Sequence, residues 1–186
     1  QLLISRYPAL CRILSRTIEN WISFNSEFLD RLKADKYQIS SELLGGQHPE
    51  LISSIQQSVS DKHAQGKSVI IIKFDNNQRI VYKPRNLIID ITFNMIVRKL
   101  NVYSDVFDVS TVCILEGDGY GWCEHIKNSK LSNIKEAHQY YERSGKLLFL
   151  LYLLNATDAH QNNIISCGAF PVLIDLETLF HQPWTT

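Results

Sequence analysis

The sequence has no surplus of charge of either sign: Lys plus Arg number 19, and Asp plus Glu also number 19. That balance excludes the broad basic face by which proteins hold bulk nucleic acid or an anionic membrane, so any basic patch must be local. Cysteine is sparse and scattered. Cys11, Cys113, Cys123 and Cys167 form no CxxC pair, which argues against a cysteine-based zinc site. With no signal-peptide pattern at the start, reduced thiols in a cytoplasmic protein are expected. Long hydrophobic runs are missing too. The longest, Leu147–Leu154, falls far short of the roughly 20 residues a membrane span needs, and it reads as a buried helix segment. There is no internal repeat and no low-complexity stretch.

What remains is the composition of a globular protein, 45% hydrophobic and 20% charged over 186 residues. That length suffices for one core, or for two small lobes around a cleft. Gln1 at one end and Gln-Pro-Trp-Thr-Thr at the other read as cuts through a larger protein, so an incomplete domain is expected.

Apolar residues at helical spacing from Leu10 to Leu32 predict a helix pair or one long helix beginning near Pro8, and Gly45-Gly46-Gln47-His48-Pro49 marks its boundary. Ser68–Phe74 and Arg79–Lys83 around the turn Asp75-Asn76-Asn77-Gln78 predict an antiparallel hairpin ended by Pro84. A helix is expected over Leu87–Leu100, a second hairpin over Val109–Leu115 and Tyr120–Ile126, and a long helix over Asn133–Leu154. Glu116, Asp118 and Glu124 around that second hairpin read as a solvated face. Strands Asn163–Ser166 and Pro171–Asp175 close the order around Gly168. The class is α+β. The expected organisation is a helical segment (1–44), a β-rich small lobe (45–128) and the start of a helical larger lobe (129–186).

The chemistry concentrates in Thr157-Asp158-Ala159-His160-Gln161-Asn162-Asn163 and in Asp175 after Val172-Leu173-Ile174. An Asp follows an apolar helix, an Asn opens a strand, and a second Asp ends the next strand. Phosphoryl transfer needs such a set. One carboxylate orients or deprotonates the attacking hydroxyl, while an amide oxygen and another carboxylate hold magnesium against phosphates. Taken singly, Asp158 and Asn163 fit turn residues and His160 a hydrogen-bonded loop histidine. The spacing H-x-x-N, with no second histidine nearby, does not suit zinc. Lys83, on the returning strand of the first hairpin, stands where a kinase-like lobe places its phosphate-pairing lysine, although a lone strand lysine is more often a solvated side chain. Arg85 either positions phosphate or follows the Pro84 turn. No GxGxxG precedes Lys83, and Gly66-Lys67-Ser68 lacks the first glycine of a phosphate loop. An ordinary protein kinase and a P-loop enzyme are thereby excluded.

Val81-Tyr82-Lys83-Pro84-Arg85, Tyr120-Gly121-Trp122, and the run from Thr157-Asp158-Ala159-His160 through Asn163-Ile164-Ile165 to Ile174-Asp175-Leu176-Glu177-Thr178-Leu179-Phe180 resemble the dehydratase domain of class II lanthipeptide synthetases. The resemblance covers roughly residues 45–180. It implies a two-lobed, lipid-kinase-like fold that uses ATP and Mg2+ to phosphorylate Ser and Thr of a precursor peptide held through a leader segment. Phosphate is then eliminated to dehydroalanine or dehydrobutyrine, with basic and hydroxyl residues from a later part of the family domain. A zinc-dependent cyclase domain follows in the full-length protein.

The same resemblance implies that Lys83 meets the nucleotide phosphates and that Asp158 and His160 flank the hydroxyl acceptor, with Asp158 the base. Asn163 and Asp175 would hold magnesium, with Glu177 completing the acidic cluster. Asp61 and His63 match an Asp-x-His element near the phosphates, although Ala64-Gln65-Gly66 departs from the more glycine-rich run of the family. Two other readings share these residues: a phosphotransferase for a lipid, sugar or antibiotic, and a non-catalytic domain that binds nucleotide or peptide.

Overall fold

The computed structural model describes residues 6–57 and 67–180. The chain is α+β, built of antiparallel strands and several helices. Packing divides it into two compact units, Gln1–Pro84 and Arg85–Thr186.

The first unit opens with α1 (Pro8–Leu43), a single helix of 36 residues with Pro8 at its start, where a missing N–H costs nothing. Gly45 and Gly46, both at positive φ, end it in a conformation that glycine adopts without strain. The apolar stripe read from the sequence is only partly used. Phe24, Phe28 and Ile39 are buried, whereas Leu10, Ile13, Leu14, Ile18, Trp21 and Ile22 are exposed.

Strands β1 (Ile52–Gln57), β2 (Ile70–Phe74) and β3 (Arg79–Lys83) form an antiparallel meander. The pair β2–β3 is the expected hairpin, turning through Asn77 at positive φ. Its period of two puts Ile70, Ile72, Ile80 and Tyr82 on one buried face. Tyr82 packs there against the rings of Phe28 and Phe24, 5.2 and 6.4 Å away, and its hydroxyl accepts from Arg31 at 2.7 Å. Burial pushes the Tyr82 phenol above its ordinary pKa, against the opposing pull of Arg31. Strand β1 was not expected. Its residues Ile-Ser-Ser-Ile-Gln-Gln are exposed throughout, so no apolar alternation announces it. A register irregularity falls at Ser53, whose hydroxyl donates to the carbonyls of Lys73 and Phe74 at 3.0 and 3.1 Å.

The second unit holds α2 (Ile88–Tyr103), the hairpin β4 (Ile114–Gly117) and β5 (Tyr120–Glu124), α3 (Ile134–Leu153), and the hairpin β6 (Ile164–Cys167) and β7 (Phe170–Leu173). Phe93 and Val97 from α2, Val109, Leu147, Leu150 and Leu151 from α3, and Leu173, Leu176 and Leu179 form one core. Asn133 caps α3 by accepting from the Glu136 backbone at 2.9 Å, while the Glu136 carboxylate reaches back to Ser132 N–H at 2.7 Å.

Three expectations need correction in this unit. The run Leu147–Leu154 is not a buried segment throughout, because Leu148, Phe149, Tyr152 and Leu153 are exposed. Eight consecutive helical residues span every direction around the axis, and only one face meets the core. Nor do residues 109–113 lie within a strand. Side chains satisfy this backbone instead: Asn101 pairs with both polar groups of Val109, Asn94 donates to the Val112 carbonyl at 2.7 Å, and Glu124 accepts from Cys113 N–H at 2.6 Å. Glu124 is therefore no mere member of a solvated face.

Asp108 ties three parts of the unit together. It accepts from Arg143 and from Lys146, each at 2.8 Å, while Arg143 donates to the Ala169 carbonyl at 2.8 Å and lies 3.7 Å from the Phe170 ring centroid. Burial pushes the Asp108 carboxyl up, but the hydrogen bonds from Lys146 and Arg143 outweigh it and hold the group below its ordinary value. Its pKa is thus lower folded than unfolded. The stabilisation is complete above the ordinary carboxylate range and is lost as pH falls through the folded pKa. An Asp108→Asn protein should be less stable at neutral pH by about 1 kcal/mol, a figure kept small because the carboxylate is partly solvent-screened. Urea unfolding at neutral and acid pH checks this: the gap from the unaltered protein should close as the pH is lowered.

Candidate active site

Most of the candidate residues stand at one end of the β6–β7 hairpin. The segment after α3 turns through Asn155 at positive φ, and Asp158 anchors by its backbone N–H on the Thr178 hydroxyl at 3.1 Å. A short 3-10 turn, Gln161–Asn163, leads into β6. Its cap is His160, whose Nδ1 accepts from Asn162 N–H at 3.2 Å. A neutral His160 then carries its proton on Nε2, and Nε2 lies 3.7 Å from Asp158 Oδ1. That is beyond hydrogen-bond reach.

Asn163 connects the two halves of the site. Its side-chain amide donates to the Asp158 carbonyl at 3.1 Å, and its own carbonyl accepts from Ile174 N–H at 2.9 Å. Spending the NH2 group on Asp158 leaves the amide oxygen as the end available to a cation. The bond from Ile174 sets Asn163 beside the exit of β7, where Asp175 follows the buried residues Val172 and Leu173. The strand ends at Leu173, two residues earlier than the sequence suggested. Asp175 Oδ1 also accepts a long hydrogen bond from Glu177 N–H at 3.5 Å.

Arg85 is the residue whose role sequence reasoning left undecided. Its guanidinium meets Asp90 at 2.7 Å, Asp175 at 3.2 Å and Glu177 at 2.6 Å. Asp90, in the first turn of α2, is buried with a side chain 3% exposed. Desolvation pulls the Arg85 pKa down, but Asp90 first, then Glu177 and Asp175, hold it above the ordinary value. A sequence signal did exist in Arg85 and Asp90 on either side of a helix start. Nothing local, however, announces a contact across 90 positions to Asp175.

Lys83 ends β3 in the first unit, on the strand face opposite Tyr82, and is 8% exposed. That burial sets it apart from an ordinary solvated strand lysine. Asp61 and His63 lie outside the described residues.

No group of three or more His, Cys, Asp or Glu is placed to hold a metal among the described residues. The candidate set is instead two carboxylates, Asp175 and Glu177, with one amide oxygen, Asn163. That fits magnesium, which takes hard oxygens and is commonly held by one or two carboxylates plus water and substrate phosphate. A hollow of about 230 Å³ in the first unit, lined by Leu29, Leu32, Ile39, Leu44, Leu51 and Phe74 among others, contains none of the candidate residues. None of the four cysteines is in a disulfide, and no helix among the described residues is long and apolar enough to cross a membrane.

Residues 7–186 match a domain family described as of unknown function, DUF4135. The match spans nearly the whole chain. The chain belongs to the DUF4135 family. It is also 30% identical, over 96% of its length, to the lacticin 481/lactococcin biosynthesis protein LcnDR2 of Lactococcus lactis subsp. lactis. The chain spans about 20% of that relative's length.

Proposed function

We propose that this DUF4135 chain is part of an enzyme of lanthipeptide biosynthesis, with a kinase-like site that transfers phosphate from ATP to Ser and Thr hydroxyls of a precursor peptide. The observation that carries the reading is the set Asp158, His160, Asn163, Asp175 and Glu177 around one hairpin. The similarity to a protein named for lacticin 481 biosynthesis supplies the substrate class.

In this reading the Asp158 carboxylate accepts the proton of the peptide hydroxyl as its oxygen bonds to the γ-phosphorus and the bond to the ADP oxygen breaks. Asp158 is suited to this because its side chain is 59% exposed, open to an incoming acceptor. His160, 3.7 Å from that carboxylate, would flank the acceptor with it. Asn163 and Asp175, with Glu177, would hold magnesium, which when bound neutralises phosphate charge. Lys83 would pair with the nucleotide phosphates, with Asp61 and His63 near them. Elimination of phosphate would follow, leaving dehydroalanine or dehydrobutyrine, and a zinc cyclase domain of the same full-length protein would then use the product.

The test is to incubate the intact parent protein with Mg-ATP and a leader-bearing Ser/Thr peptide, beside an Asp158→Asn control, and to read the peptide by mass spectrometry. Gain of phosphate or net loss of water in the unaltered protein alone is the expected result. An unmodified peptide together with Lys83-dependent ATP binding would move the reading to another acceptor. Neither modification nor nucleotide binding would remove the kinase-like reading.

A further inference from the structure

Arg85 makes one side of the candidate cation site positive before any cation arrives. Its Nη1 and Nη2 face Asp90 at 2.7 and 3.3 Å, while Nη2 and Nε face Asp175 and Glu177 at 3.2 and 2.6 Å. The guanidinium is only 16% exposed, and Asp90 only 3%. Arginine does not lose its proton at any ordinary pH, so this charge is permanent. It is also held in place, because swinging Arg85 away would break a 2.7 Å ion pair with the buried Asp90 carboxylate.

We propose that Arg85, anchored by Asp90, is a positioning residue that acts as a fixed counter-charge to Asp175 and Glu177. It would hold the pair in place while weakening their hold on a bare divalent cation. The proposal rests on the reading of those two carboxylates as cation ligands. The recorded contacts of Asp175 fall on Oδ1, which leaves Oδ2 for a metal. A bare dication approaching Oδ2 meets the guanidinium's repulsion, which Asp90 on its far side offsets only in part. A dication already carried on a polyphosphate brings its own negative charge, and the same guanidinium then attracts the complex. Arg85 would therefore make the site discriminate for the metal–nucleotide complex over free metal.

The probe is bare Mn2+, titrated against the intact protein without nucleotide and followed by the loss of its free-ion electron spin resonance. Removing Arg85 alone would also take the guanidinium away from the buried Asp90 carboxylate, so the informative variant is the double change Arg85→Gln with Asp90→Asn. Its fold is checked by circular dichroism. The double variant should bind bare Mn2+ roughly tenfold more tightly, while its KM for Mg-ATP rises. Arg85→Lys keeps the charge and should stay within about twofold of the unaltered protein for bare Mn2+. A merely structural role for Arg85 would weaken both affinities. Unchanged or weaker Mn2+ binding in the folded double variant overturns the proposal, as does equal tightening in Arg85→Lys. Asp175→Asn, measured alongside, separates the two layers. If it leaves Mn2+ binding intact, the cation-ligand reading itself fails, whatever Arg85 does.

Discussion

An Asp175→Asn protein is expected to lose peptide modification by on the order of a thousandfold while remaining folded. The exchange keeps the side chain's shape and removes one negative charge and one hard oxygen ligand. Stability should change little, because Arg85 keeps its closer partners Asp90 and Glu177, at 2.7 and 2.6 Å. The side chain of Asp175 is itself 45% exposed. The loss should fall on the chemical step, since the missing charge matters most when phosphate oxygens crowd the site. Single-turnover assays of the intact protein, with thermal unfolding measured alongside, separate the two effects. Modification within threefold of the unaltered rate would rule out Asp175 as a ligand needed for transfer. A collapsed unfolding temperature would instead assign it to structure.

The second large effect concerns the core that carries the hairpin. Leu150 is wholly buried among Phe93, Val97, Leu147, Leu173 and Leu176. Leu150→Ala should cost about 2–5 kcal/mol, the removed transfer energy plus the cavity left behind. Leu173 and Leu176 flank Ile174 and Asp175 in sequence and belong to the same core. A looser core therefore loosens the backbone that aims the carboxylates. Denaturant unfolding reports the stability loss. A cost below about 1 kcal/mol would mean the neighbouring side chains collapse into the space and the site is not rigidly seated.

Several elements were legible because their signals are local. A dense run of β-branched residues before Asp75-Asn76-Asn77-Gln78 and the short apolar stretch after it announced β2 and β3, and the stretch after Asn133, polar at first and then increasingly apolar, announced α3. The spacing of Asp158, Asn163 and Asp175 was readable for a related reason. A loop, a short turn and a tight hairpin leave few ways to separate three residues so close in sequence. Strand β1 escaped notice because its exposed Ser and Gln residues carry no alternation, and its pairing with β2 is a tertiary fact.

The sequence by itself determined the class of the fold, most of the hairpins and helices, and the list of candidate residues. Only the tertiary structure decided which apolar faces are covered, for periodicity names a face without naming its partner. Trp21 on α1 and Phe149 on α3 stayed exposed, while Phe28 and Leu150 went inside. Tertiary structure alone also turned Arg85 from a residue after a proline into the common partner of Asp90, Asp175 and Glu177. Charges couple through space, and no property of positions 85 and 175 taken singly records the few ångströms that separate them once the chain is folded.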